Sequence, residues 1–157
     1  MDSNLSNMPG GAVRVPGRIL GLDIGDRRIG VAVSDELGIT AQPVLTLVRT
    51  NRRQDLRSLA RLMRKYACRE AVVGNPLHMS GDLSPQATKA QAFARALQQE
   101  TAMPVHLWDE RLSTSEAHRH LDQVGRAPGA RRSVIDQIAA VLILQTFLDA
   151  RASEPKP

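Results

Sequence analysis

The spacing of apolar positions changes along this chain, and each change marks a different element. Arg18–Ile24 and Ile29–Ser34 are β-branched, apolar runs joined by Gly25-Asp26-Arg27-Arg28. Two such runs across a short polar link predict a hairpin. Val44–Val48 predicts a third short strand. A helix then opens at Asn51-Arg-Arg-Gln54, with Leu56, Leu59, Ala60, Met63 and Ala67 at the spacing of one buried face. Ala71–Gly74 is short and wholly apolar, as a buried fourth strand requires. Ser84-Pro85 places an N-cap before a proline at the first helical position, and the helix it starts buries Ala90, Phe93, Ala94 and Leu97. Val105–Trp108 predicts a fifth strand. Ser113, with Glu116 three residues on, reads as a capping box opening another helix. Gly125-Arg-Ala-Pro-Gly129 breaks the chain. A last helix, from about Ser133 to Asp149, carries Val134, Ile138, Val141, Leu142 and Leu148.

The predicted order is β-β-β-α-β-α-β-α-α. A meander followed by strand-helix alternation implies an α/β domain, with one mixed sheet covered by helices. That domain spans 18–151, between aperiodic stretches at 1–17 and 152–157 that read as mobile tails.

Composition narrows the class. The 157 residues make about one domain, and 42% hydrophobic with 24% charged is an ordinary globular mix. No apolar run approaches the ~20 residues of a membrane span. The first seventeen residues have no continuous apolar core of the secretory kind. Cys68, the single cysteine, excludes an internal disulfide framework. A cytosolic protein without a membrane partner is the expectation. The net charge is +5, and eighteen of the twenty-one basic residues are arginine. Such a balance favours a polyanionic partner, although arginine in place of lysine also follows from a GC-rich genome. Four aromatic residues are too few for a base-stacking platform.

Three places hold carboxylates that a core does not need. Asp23 stands near the end of the first strand, on the face of Ile19 and Gly21, with Gly21 and Gly25 clearing space beside it. Alone, it also reads as a turn former. Asp109-Glu110-Arg111 ends the fifth strand, and at most one of its two acids shares Asp23's side; its simpler reading is a solvated strand end. Asp136 lies in the first turn of the last helix, where Ser133-x-x-Asp136 also reads as a capping box. Converging in one pocket, these acids would repel unless divalent cations lay between them. Hard oxygen donors with no cysteine and no paired histidine suit Mg²⁺ or Mn²⁺. His118 and His120, two apart on a helix, do not face each other. Two ions roughly 3.5–4 Å apart would activate water and stabilise the leaving oxygen in phosphodiester cleavage.

Four motifs now fall in order: Leu22-Asp23-Ile24-Gly25 with Arg28-Ile29-Gly30-Val31-Ala32; Val73-Gly74-Asn75-Pro76-Leu77 with Gly81; Asp109-Glu110-Arg111-Leu112-Ser113-Thr114; and Asp136-x-x-Ala139-Ala140 with Ile143-Leu144-Gln145. In this set the chain closely resembles the YqgF/RuvX family from Arg18 to Leu148. The resemblance implies an RNase H-like fold with a central first strand, and Asp23, Glu110 and Asp136 as catalytic carboxylates binding Mg²⁺ or Mn²⁺. It implies an endonuclease maturing the 5′ end of pre-16S rRNA, with Holliday-junction-resolvase chemistry on branched DNA as the alternative. Asp26 stands where family members commonly have threonine, and Asn75 and His78 replace a usual leucine and asparagine. RuvC places acids after its fourth strand and three residues beyond its last one; here those places hold Asn75-Pro76 and Ala139.

Basic residues supply the other half. Arg27 and Arg28 lie near Asp23, Arg111 follows Glu110, and Arg126, Arg131 and Arg132 flank the break before Asp136; these six are the candidates for nucleic-acid contact. Arg53, Arg57, Arg61 and Arg64 form a stripe opposite the first helix's apolar face, the pattern of a solvated surface. The expected partners are pre-rRNA or branched DNA and ribosomal precursor particles, met as a monomer or a homodimer. Two other classes compete. One is a non-catalytic nucleic-acid-binding assembly factor. The other is a sugar-kinase or actin-like ATPase, which needs a second domain around its nucleotide.

Overall fold

The computed structural model describes residues 17–77, 80–110 and 130–154. In chain order these form β1 (Arg18–Ile24), β2 (Arg28–Ser34), β3 (Ala41–Val48), α1 (Arg52–Lys65), β4 (Cys68–Asn75), α2 (Pro85–Thr101), β5 (Val105–Asp109) and α3 (Ala130–Ala152). The helix expected from Ser113, the Gly125–Gly129 break, His78, His118, His120, Arg111, Arg126 and the side chain of Arg131 lie outside the described residues, as does most of each tail.

The strands make one sheet in the order β3-β2-β1-β4-β5. The β1–β2 and β2–β3 pairs are antiparallel, and β4 joins β1, as β5 joins β4, in parallel. This is the expected mixed sheet, with β1 at its centre. Alternation along each strand feeds two cores. Leu20, Leu22, Val31 and Val73 face α1 and α2, where Leu59, Met63, Phe93 and Leu97 meet them. Ile19, Ala32 and Val72 face Ala140, Ile143, Leu144 and Phe147 of α3.

Caps fix where the helices of the first layer begin. Asn51 accepts a hydrogen bond from the Gln54 amide, and Ser84 Oγ accepts one from the Ala87 amide at 3.0 Å, with Pro85 opening α2. Ala102, in the left-handed region at φ 57°, closes α2. Three expectations need correction. Ala67 is exposed and lies beyond α1, where φ is 53°. α3 already runs from Ala130, so Ser133 is inside the helix and caps nothing; its carbonyl instead accepts from Thr46 Oγ1. Finally, α3 over Arg132–Ala152 is long and apolar enough to pass for a membrane span by composition. Its charged residues had hidden this, and its Ala140, Ile143, Leu144, Phe147 and Leu148 are buried over the sheet.

Polar tethers hold α3 across both ends of the sheet. Gln145 accepts from the Ala41 amide and donates to the Ile39 carbonyl, each at 2.9 Å. Trp108 Nε1 donates to Thr146 Oγ1. Arg151 makes a two-pronged pair with Glu70, with both nitrogens at 2.9 Å, and lies over the Phe147 ring.

Candidate active site

Asp23 lies in a row of residues that crosses the sheet. It pairs with Gly30 of β2, and one step beyond the Leu22–Val73 pair of the β1–β4 ladder stands Gly74. Both neighbours lack a side chain, and the structure uses the space. A Cβ at Gly30 would strike the backbone of Asp136; a Cβ at Gly74 would strike the Glu110 carboxyl and Ile143. α3 at Asp136 and the chain at Glu110 thus settle on either side of Asp23, on the face where Ile19 packs against α3. The glycines expected to clear this space were Gly21 and Gly25. Leu144 occupies the first position and the Arg28 carbonyl closes the turn over the second. The alternation of β1 placed Asp23 on the correct face; register across three strands was needed to find Gly30 and Gly74.

The electrostatics follow from this crowding. The Asp23 carboxyl is pushed up to about 7, chiefly because burial disfavours its charge, and further because Glu110 and Asp136 add negative potential. Glu110 is also raised above the ordinary range, by burial first and by Asp109 second. Asp136 has a partner: Arg28 Nε donates to its Oδ2 at 2.7 Å. The Arg28 guanidinium is therefore held against a carboxylate within the site. Arg27 is exposed in the β1–β2 turn, and Arg132 is exposed near the start of α3.

A second network holds the turn that carries these groups. Arg49 Nη1 donates to the Gly25 carbonyl and its Nε to Asp55 Oδ2 at 3.0 Å, while the guanidinium covers the Phe93 ring at 5.3 Å. Asp55 is 2% exposed and also accepts from the Thr50 amide. Sequence reasoning missed this clamp, since an acid in a helix's first turn looks like a partner for the dipole. Asp26 points elsewhere: its carboxylate takes Gln86 and Lys89 of α2, which lower it below the ordinary range. That ties the turn to α2.

The donor set suits a hard divalent cation. Its three members are carboxylates, without sulfur or imidazole among them, and two are partly buried carboxyls whose charge is disfavoured first by burial and then by neighbouring acids, which a cation relieves. Among the described residues no three His, Cys, Asp or Glu side chains stand close enough to form a finished cage. The fit is one of chemistry and charge, with Arg28 balancing Asp136.

Comparisons with known proteins bear on the fold and the family. Solved structures similar in fold include the RuvC of T. thermophilus in complex with a Holliday junction substrate, at a TM-score of 0.54 and 15% identity, over 90% of this chain and 99% of that one. The fowlpox virus resolvase with Holliday junction DNA matches at 0.53 and 12%, over 85% and 98%. At such identity the likeness establishes the RNase H-like fold of these resolvases. Sequence relatives are much nearer. A protein of Koribacter versatilis is 50% identical over 137 residues, covering 87% of this chain and 90% of its own. One of Moorella thermoacetica is 52% identical over 132 residues, covering 84% and 94%. Both are provisionally named pre-16S rRNA nuclease. The family RuvX, described as Holliday junction resolvase, matches residues 17–150. With that match along nearly its whole length and relatives half identical to it, this chain belongs to the RuvX family.

Proposed function

We propose that this protein is a divalent-metal-dependent endonuclease that hydrolyses a phosphodiester bond in the maturation of the 5′ end of pre-16S rRNA, in the cytoplasm. Supporting this reading above all is the gathering of Asp23, Glu110 and Asp136 on one side of the sheet, over Gly30 and Gly74. The names of the half-identical relatives supply the substrate.

Asp23, Glu110 and Asp136 would hold Mg²⁺ or Mn²⁺, in one or two sites. A metal bound there would supply an activated water nucleophile and stabilisation of the leaving oxygen. The chain's own contribution is placement and charge. Asp23, on the central strand, is the rigid member. Glu110 closes the site from the end of β5, and Asp136 is delivered by α3 with its orientation set by Arg28. Arg49 fixes the turn between Asp23 and Arg28. Arg27, Arg111, Arg126, Arg131 and Arg132 are the residues we assign to the nucleic-acid backbone; Arg28, a sixth candidate by sequence, is bound to Asp136. Ribosomal precursor particles are the proposed partner, met by a monomer or a homodimer.

Purified protein with Mn²⁺ should cut a structured RNA carrying the precursor 5′ end, and Asp23→Asn should abolish cutting while leaving the circular-dichroism spectrum unchanged. Undiminished cleavage by that variant would refute the reading. The family description and the fold favour one alternative, resolution of branched DNA. A four-way junction cut faster than the RNA would establish it.

A further inference from the structure

Helix α1 lies on the sheet face away from α3, and its outer surface carries a row of positive charge. Residues 49–69 contain eight Arg or Lys and one acid, Asp55, in a chain whose whole net charge is +5. That one acid is buried and already bonded to Arg49 and the Thr50 amide. Arg53, Arg57, Arg61 and Arg64 are all exposed. Among the described residues none of the four has an ion-pair partner, whereas Arg28, Arg49 and Arg151 each have one. An ordinary solvated helix face interleaves both signs, because like charges one turn apart destabilise the helix. Among the described residues the repulsion has no relief.

The four positions lie one above another at spacings of four, four and three residues. They run about 17 Å along the helix, about 6 Å per step. The stripe's upper end is tied to the candidate active site, since α1 begins three residues after Arg49, whose guanidinium binds the Gly25 carbonyl beside the turn carrying Asp23 and Arg28. Guanidinium groups on flexible stems, in file and without acids between them, match a run of backbone phosphates. Aromatic side chains for base stacking are absent from the stripe, and arginine contacts to phosphate position a strand without reading it.

We propose that the Arg53–Arg57–Arg61–Arg64 stripe is a substrate track: it grips the phosphodiester backbone of the nucleic acid on the opposite face of the sheet from the active site, away from the bond to be cut. This rests on the nuclease reading for the identity of the ligand, and its test is independent of cleavage. Binding of the full chain to a fluorescent RNA hairpin, and to a duplex DNA of equal length, is followed by anisotropy in EDTA over a range of KCl. Replacing all four arginines with glutamine should flatten the slope of log affinity against log salt by about three to four. The advantage of wild type over the variant should therefore shrink about 100-fold between about 50 and about 200 mM salt. The four-lysine variant keeps the charge and should bind within a few-fold of wild type. Lys89→Gln, which removes a cation already paired with Asp26, should leave the slope unchanged. A four-glutamine slope within one of wild type overturns the track, as does an equal loss per charge from Lys89→Gln. A protein that cuts RNA with an unchanged slope refutes the track alone. One that binds through the stripe yet cuts nothing with any divalent metal refutes the nuclease reading alone.

Discussion

Removing the central carboxylate should make this protein more stable, and by an amount that depends on pH. Asp23 ionises ordinarily near 3.8 and in the fold near about 7, because it is buried beside Glu110 and Asp136. A folded-state pKa above the unfolded one means the native state holds the proton more tightly. Stability is then undiminished below the unfolded value, falls as pH rises toward the folded value, and stays low above it. Between about pH 5 and about pH 7 the loss has a ceiling of about 2.7 kcal/mol, at about 1.36 kcal/mol per pH step. Some relaxation around the charged form brings the expected value to roughly 1–2 kcal/mol. Asp23→Asn carries no such loss, so its advantage over wild type should grow by about 2–8 °C in Tm from about pH 5 to about pH 8. Thermal melts followed by circular dichroism in EDTA measure this. Adding Mn²⁺ should narrow the gap at the higher pH, because a ligand that binds only native wild type stabilises only wild type. An advantage that does not change with pH would show that Asp23 is neither buried nor crowded by the other two acids, and the site as described would be wrong.

Other perturbations reach the scaffold. Gly30→Ala puts a methyl group into the Asp136 backbone, so α3 must lift; urea denaturation should show a loss of roughly 1–3 kcal/mol, and wild-type stability would mean that α3 does not sit on β2 there. Leu144→Ala empties a fully buried position over Gly21 and should cost about 2–5 kcal/mol by the same assay. Glu70, between Arg151 and His106, is lowered from 4.5 to about 2, mainly by its hydrogen bonds from Arg151. A lowered carboxyl gives stability that is complete above about 4.5 and is lost as pH falls toward about 2. Allowing for solvent screening, Glu70→Gln should lack roughly 1–2 kcal/mol of that acid-limb loss; identical acid titrations of variant and wild type would show the pair to be inert.

How much of this was legible beforehand depends on the range of the interaction. Strands β1 to β5, the caps at Asn51 and Ser84, and the side of β1 on which Asp23 stands follow from neighbours in sequence: side chains alternate along a strand, and a cap satisfies amides two or three residues on. The motifs around Asp23, Glu110 and Asp136 marked the acids as a set, although nothing local said that they meet. Meeting required the register of β1 against β2 and β4, which brings Gly30 and Gly74 alongside Asp23 from residues far along the chain. The same holds for Arg28, which by sequence is simply a basic residue near an acid, and in the fold is bound to an acid on α3. Asp55 shows the converse: a local reading suits it as a helix-start acid, while only tertiary packing buries it under Arg49. Backbone periodicity is a property of short segments, whereas the burial of a charge and the identity of its partner depend on which distant segments the sheet brings together.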